Sequence, residues 1–192
     1  MSTHYRLVMA RSTIRKDALR SRRAILDAAR ELYADGGEPS FAEISLAAGV
    51  GQATVYRHFE NRADLIAALA EEGMGRLEQK ASAAPLDADS FENLLRLVAA
   101  EQVRDQTLIA AIRRGELDPA RVERLSERAR ALFRQPLAAA QAAGRLRRGL
   151  DLDDVMAVLA MLDGALAAVD DHALRGQAAN RALDLLLGGL RA

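Results

Sequence analysis

The residues best suited to making specific chemical contacts lie directly after the turn Gly49-Val50-Gly51. Gln52 can form two hydrogen bonds with adenine, and Ala53 and the methyl group of Thr54 can contact the methyl group of thymine. Upstream, Ser40 would place a hydroxyl and free backbone N–H groups at the start of a helix, where a phosphate is favoured. The same serine also fits a plain N-cap, and the two roles are compatible. Residues of these types would be able to contact nucleic-acid bases and phosphates, although the pattern alone does not show that they do.

Helical periodicity predicts the elements that position these residues. Apolar residues at helical spacing form a first helix that ends at Gly36-Gly37. A capping box over Ser40–Glu43 begins a short second helix, and a third covers Gln52–Phe59 after the glycine turn. A capping pair over Asn61–Asp64 begins a longer fourth helix. A longer helix followed by two short ones is typical of a helix-turn-helix unit, although plain helical bundles contain the same arrangement.

The order of residues in this segment resembles that of the TetR family of bacterial transcriptional regulators. In the stretch 40–59, Ala-Gly-Val leads into Thr-Val-Tyr-Arg-His-Phe, and the resemblance extends over roughly residues 20–70. It implies that Tyr56 and His58 contact the DNA backbone and that Arg57 and Arg62 add positive charge beside them. The DNA-contacting residues expected from the chemistry and the resemblance are Ser40, Gln52, Ala53, Thr54, Tyr56, Arg57, His58 and Arg62.

Two residues depart from the family pattern. Gly51 stands where the family often has a serine N-cap, and Ser45 stands where alanine is usual. A glycine N-cap costs only about a few tenths of a kcal/mol relative to serine. The hydroxyl of Ser45 can bond back to a carbonyl of the preceding turn. We expect neither departure to alter the fold.

Composition favours an all-α protein and excludes several kinds of chemistry. The 192 residues include 40 alanines and 29 leucines, but only 9 valines, 6 isoleucines and no cysteine. A chain without cysteine has no disulfide, thiol nucleophile or cysteine-ligated metal. The longest apolar run, Val155–Leu162, is far shorter than the roughly 20 residues of a membrane span, and no signal peptide is evident. We expect a cytoplasmic protein with no metal, no cofactor and no membrane partner.

Charge is unevenly distributed along a chain that is neutral overall. Residues 1–23 carry a net charge of +6, and the remaining residues carry −6. A basic segment of this kind is an electrostatic footprint for a polyanion, and it can equally be a solvated tail. We expect residues 1–19 to form a flexible basic arm ahead of a helix-turn-helix domain over 20–70.

The resemblance implies that residues 71–192 bind an effector and dimerise, and the helical patterns predict about nine helices in the whole chain. Helix starts are indicated at Asp89 and at Asp118-Pro119. Further patterns predict a helix from Asp151 to near Leu174 and a last helix over Gln177–Leu190.

The last two helices carry two kinds of apolar surface. One consists of stripes of large residues, Val155, Val158, Leu159, Leu162, Leu166, Val169, Leu183, Leu186, Leu187 and Leu190. The other is a neighbouring face of small residues, Ala160, Gly164, Ala167 and Ala168. Small faces of this kind permit close packing of helices between subunits, although burial inside the monomer explains the stripes equally well. We favour the interface, mainly because the family forms dimers. A two-fold dimer would place its recognition helices about 34–36 Å apart on a palindromic operator.

The resemblance also implies a small-molecule effector, whose class the sequence does not reveal. Candidates for its binding site are polar or adaptable residues within apolar helical patterns, namely Gln102, Thr107, Met161 and Asp163. Each of them also fits a satisfied polar residue, a surface position or, for the methionine, core filling.

The favoured function is a repressor that binds its operator as a homodimer and is released by a small molecule. An enzyme is disfavoured because no nucleotide-binding, hydrolase or zinc-protease motif is present and the three histidines lie far apart. A helical adaptor without DNA binding, and a DNA-binding regulator without an effector, are the alternatives. A regulator should bind DNA with an affinity that falls as salt rises, whereas an adaptor should not.

Overall fold

The structure is a computed structural model of the chain, and it describes residues 3–34, 37–169 and 171–191. Within those ranges the chain forms an all-α fold of nine helices, as the sequence predicts. The helices are α1 (Thr3–Ala34), α2 (Phe41–Ala47), α3 (Gln52–His58), α4 (Arg62–Ala83), α5 (Ser90–Arg104), α6 (Gln106–Arg113), α7 (Pro119–Ala142), α8 (Leu152–Ala167) and α9 (His172–Leu190).

The chain divides into two compact units, Met1–Leu65 and Ile66–Ala192, and the division falls within α4. The sequence placed this boundary at residue 70. A helix that continues across a boundary leaves no glycine, proline or composition change to mark it, so the small difference is expected.

The first unit is held together by the apolar faces of α1, α2 and α3 and by Phe59, the residue that follows α3. The buried residues of the three helices include Ile25, Leu26, Ala28, Ala29, Tyr33, Ile44 and Val55. The predicted capping box begins α2: the backbone N–H of Glu43 donates to Oγ of Ser40, and the backbone N–H of Ser40 donates to the Glu43 carboxylate. Gly49 ends α2 with φ of +63°, a conformation that favours glycine. The backbone N–H of Val50 then donates to the carbonyl of Ser45 at 3.0 Å. These local signals fix the turn that precedes α3.

The sequence analysis predicts a flexible arm over residues 1–19. For residues 3–19, which the structure describes, this prediction is wrong, because they belong to α1, which begins at Thr3. The first 34 residues contain no glycine or proline, and alanine, leucine, methionine and arginine are good helix formers. A dense run of like charges does not prevent a helix when every residue tolerates helical geometry.

The second unit has one core, built by α4, α5, α7, α8 and α9. Phe91 and Phe133 meet in it edge to face, with ring centroids 5.7 Å apart. The stripes of the last two helices are part of this core, since Val155, Val158, Leu159, Leu162, Leu166, Leu183, Leu187 and Leu190 are all buried. The favoured assignment of these stripes to a subunit interface is therefore wrong. The small residues Ala160, Gly164, Ala167 and Ala168 are exposed.

Side-chain caps begin α7, α8 and α9, and two helix boundaries of the second unit depart from the sequence pattern. The helix that begins at Ser90 is interrupted at Asp105, which separates α5 from α6. The last break lies before His172 rather than after Leu174, because the Asp171 carboxylate accepts from the backbone N–H of Ala173 and begins α9. Asp89 occupies the predicted N-cap of α5, but its side chain makes no capping bond.

Candidate nucleic-acid interface

α3 presents a polar face to the solvent and an apolar face to the core of its unit. Val55 and Phe59 are buried, as the four-residue spacing predicts. The side chains expected to read bases or to add charge, Gln52, Ala53 and Arg57, are exposed, while Thr54 is half-buried. The outer face of α3 is thus free to enter a groove without any change in the core.

Tyr56 lies on this outer face and is supported from α2. Its side chain is 55% exposed, and its ring meets that of Phe41 edge to face, with centroids 5.0 Å apart and planes at 63°. Such pairs are favourable because the positive edge of one ring faces the negative face of the other. Phe41 therefore restrains the direction in which the Tyr56 hydroxyl points. The sequence analysis missed Phe41, for which periodicity gives no signal.

His58 lies at the end of α3 in a half-buried position. Burial lowers the pKa of its imidazole, and the positive charges of Arg57 and Arg22 lower this pKa further. Its Nε2 atom is buried and has no hydrogen-bond partner among the residues that the structure describes. The lowered pKa favours the uncharged imidazole, which can serve a phosphate as an N–H donor.

Two arginines beside α3 are held by aromatic rings of the same unit. The guanidinium of Arg62 lies 5.5 Å from the Tyr33 ring centroid and 3.5 Å from a carboxylate oxygen of Glu38. The guanidinium of Arg22 lies 4.6 Å from the ring centroid of Phe59. Arg22 was not among the expected DNA-contacting residues. Its place in the basic segment 1–23 is the one signal that pointed to it.

Ser40 uses its donors inside α2. Both its hydroxyl and its backbone N–H donate to Oε2 of Glu43, at 2.7 and 2.8 Å. These bonds lower the pKa of the Glu43 carboxyl. A phosphate at this position would compete with that carboxylate, so the capping role is the one that the geometry displays and the phosphate contact stays a prediction.

The residues expected to bind an effector are only partly brought together. Gln102 donates from Nε2 to the backbone carbonyl of Leu159, and Asp163, one turn further along α8, pairs with Arg113. Thr107 is half-buried in α6. Met161 is 53% exposed and does not line the interior of its own unit. Buried Gln106, which contacts Asp163, was missed by the sequence analysis.

Two surface cavities of the second unit are large enough for small molecules, with volumes of about 410 and 590 Å³. The larger lies between the end of α4, the start of α5 and the middle of α7, and none of the four expected effector residues lines it. Within the described ranges no three histidine, aspartate or glutamate side chains form a metal-binding group. No helix among the described residues combines the length and the apolar character needed to cross a membrane.

Comparisons with known proteins match both units. Residues 25–69 match the sequence profile of the TetR family of bacterial regulatory proteins, and residues 87–192 match that of the C-terminal domain of SbtR-like transcriptional regulators. The HTH-type transcriptional repressor LfrR of Mycolicibacterium smegmatis is 51% identical over 51 residues, a match that spans 27% of this chain and 27% of LfrR.

Solved structures match over nearly the whole chain. A TetR regulator from Mycobacterium vanbaalenii is 27% identical with a TM-score of 0.66, covering 93% of this chain and 99% of that one. A TetR regulator from Streptomyces coelicolor is 28% identical with a TM-score of 0.63, covering 88% and 98%. SmeT, the repressor of a multidrug efflux pump of Stenotrophomonas maltophilia, shares the fold at 22% identity and a TM-score of 0.61, covering 89% and 90%. This chain belongs to the TetR family of bacterial transcriptional regulators.

Proposed function

We propose that this protein is a repressor that binds a palindromic operator as a homodimer in the bacterial cytoplasm and is released by a small molecule. The observation that carries the proposal is the outer face of α3, where polar and basic side chains are exposed over an intact apolar core. The 51-residue match to a transcriptional repressor supports the same role.

The side chains of this face have separate tasks in the proposal. Gln52, Ala53 and Thr54 contact base edges and set the sequence preference. Tyr56 and His58 donate to phosphates, which positions α3 without reading sequence. Arg57, Arg62 and Ser40 add contacts around them.

The dimer is proposed to form through the exposed sides of α8 and α9. Small residues cover that side of α8, and a built Cβ at Gly164 would meet no atom within 4 Å. Met161 and Leu185 are large apolar residues exposed on the same two helices, and an interface would remove them from water. In this proposal two copies associate through the exposed sides of α8 and α9 and not through the buried stripes.

Effector binding is proposed to take place in the second unit and to act through α4. This helix is continuous from Arg62 to Ala83 and spans the division between the units, so it is a covalent route for a change in either. The effector must favour the form that does not fit the operator, by about 1–3 kcal/mol for typical coupling.

Selection of bound duplexes from random DNA, followed by anisotropy titrations, tests the proposal. We expect a palindromic site whose affinity falls steeply as salt rises. Gln52→Ala should lose about 1–3 kcal/mol on the selected site and discriminate less between bases at one position. Tyr56→Ala should weaken binding to selected and scrambled duplexes alike.

Gln79→Ala, which changes an exposed glutamine of α4, is the matched control and should bind as the unmodified chain does. If Tyr56→Ala altered base preference while Gln52→Ala weakened all duplexes equally, the division of tasks would be overturned. A chain that binds no duplex would instead support a helical adaptor.

A further inference from the structure

Two glutamines, four residues apart, link the α5–α6 segment to α8. Nε2 of Gln102 donates to the carbonyl oxygen of Leu159 at 3.3 Å, and Nε2 of Gln106 donates to Oδ1 of Asp163 at 3.5 Å. Leu159 and Asp163 are one helical turn apart, so the two bonds run side by side. Gln106 is only 5% exposed. Gln102 is half-buried.

These partners fix the orientation of both amides. A backbone carbonyl can only accept, and the Asp163 side chain forms an ion pair with Arg113, whose Nη1 lies 2.7 Å from Oδ2. Each glutamine must therefore direct its NH₂ group toward α8 and its oxygen elsewhere. Both Oε1 atoms are buried, and neither accepts a hydrogen bond from any group in the described part of the chain.

Buried acceptors without donors are unfavourable, because they lose their bonds to water and gain none in return. Leucine or methionine would fill either position without this cost. The three helices that carry the two bonds also bury apolar side chains, among them Val98, Leu108 and Leu162. A pair of unused acceptors in such surroundings is the arrangement that binds a donor group on an apolar molecule.

The charges nearby decide which donor fits. Arg113 neutralises Asp163, and Arg76 lies 3.2–3.3 Å from oxygens of both Glu101 and Asp105. Glu101 also contacts Lys80 at 3.1 Å and pairs with Arg104. The four cations outnumber the three carboxylates of this cluster, so an ammonium group would add to the excess of positive charge. A neutral hydroxyl or amide N–H satisfies the glutamine oxygens without that cost.

We propose that Gln102 and Gln106 form the polar part of the effector site, and that the effector is a neutral, largely apolar molecule bearing a hydroxyl or N–H donor. The proposal rests on the proposed function only in calling this ligand the effector. The site and its preference for a donor can be tested without DNA.

The test uses the full chain labelled with ¹⁵N and three fragments of similar size, namely benzyl alcohol, benzyl methyl ether and benzylamine. Side-chain amide signals of Gln102 and Gln106 are assigned from the spectra of Gln102→Leu and Gln106→Leu. We expect benzyl alcohol to shift both signals saturably and to bind about tenfold more tightly than the ether, which cannot donate. Benzylamine, a cation at neutral pH, should bind more weakly than the alcohol.

Gln106→Leu should abolish the preference for the alcohol over the ether, and its melting temperature should be unchanged or raised because a buried unsatisfied oxygen is removed. Gln106→Met is the second variant, and Gln79→Leu, at an exposed glutamine, is the matched control. Unmoved amide signals, equal binding of alcohol and ether, or a marked fall in melting temperature in both Gln106 variants would overturn the proposal.

DNA binding is measured separately in the same samples. If the alcohol preference holds and no duplex is bound, the site stands and the proposed repressor function fails. If an operator is bound and the amide signals do not respond, the repressor stands and this site is refuted.

Discussion

At the scale of single residues, the DNA-facing surface depends on side chains that do not themselves touch DNA. Tyr56 is more than half exposed, and its ring is held by the edge-to-face contact with Phe41. An exposed tyrosine without such a neighbour would sample several rotamers, and binding would have to restrict them at a cost in entropy. Phe41 is therefore a positioning residue for the phosphate contact proposed for Tyr56.

A double-mutant cycle tests this role of Phe41. Phe41→Ala should weaken operator binding by about 0.5–1.5 kcal/mol, the usual value of an aromatic pair. In a Tyr56→Ala background the same change should have almost no further effect, because its influence passes through the tyrosine ring. Anisotropy titrations of the four proteins measure the coupling, with denaturation curves to confirm that each is folded. Additive losses would show that Phe41 acts independently.

His58 gives a pH dependence whose sign follows from its lowered pKa. In the unfolded chain its imidazole titrates near the ordinary value of 6.5, whereas in the folded chain burial and two arginines place its pKa below that value. As pH falls through 6.5 the unfolded state therefore binds the proton first, and the free energy of unfolding decreases. The stabilisation is complete above 6.5 and is lost as pH falls through the folded pKa.

His58→Gln removes this titration and should reduce the fall in unfolding free energy between about pH 7.5 and 5.5. Urea denaturation at the two pH values, on the unmodified chain and the variant, gives the two differences to compare. All other titrating groups are the same in both proteins, so their contributions to the change in unfolding free energy cancel when the two differences are compared. An unchanged difference in the variant would mean that His58 titrates alike in the folded and unfolded chain.

At the scale of elements, the sequence predicted what adjacent residues determine. The capping box of α2, the turn at Gly49 and the start of α7 at Asp118-Pro119 depend on contacts within three or four residues. Helix propensity also predicts a helix over residues 3–19, whereas the net charge of the segment favours a flexible arm. In the structure propensity decides, because the segment has no helix-breaking residue.

Contacts between elements that are distant in the sequence cannot be predicted from local sequence patterns. Gln106 lies 57 residues from Asp163, and nothing in the local pattern marks it as buried. The interruption between α5 and α6 at Asp105 lies beside the bond from this aspartate to Arg76 of α4. Such contacts depend on how helices pack, which periodicity alone does not specify. The same limit explains why Gln102 and Asp163 were found but Gln106 was not.

At the scale of the whole molecule, the last two helices have a buried apolar side and an exposed side of different composition. The stripes of large residues fill the core of the second unit, and the exposed sides carry small residues, a few large apolar ones and charged ones such as Arg181 and Asp184. Sequence patterns show that a helix has apolar residues on more than one side, but they do not show which side its own chain covers. Only the side left exposed is available to a second copy.

Replacing the exposed apolar residues of that side by charges should therefore separate the subunits and leave each one folded. Met161→Glu combined with Leu185→Glu alters side chains that are 53% and 71% exposed, so the stability of the monomer should change by about 0.5 kcal/mol or less per site. Sedimentation should show a monomer, and binding to a full palindrome should fall to the level of a half-site because two recognition helices no longer act together. Leu86→Glu, at an exposed leucine between α4 and α5, is the matched control and should remain dimeric. If the double variant sediments as a dimer, the subunits associate through another surface.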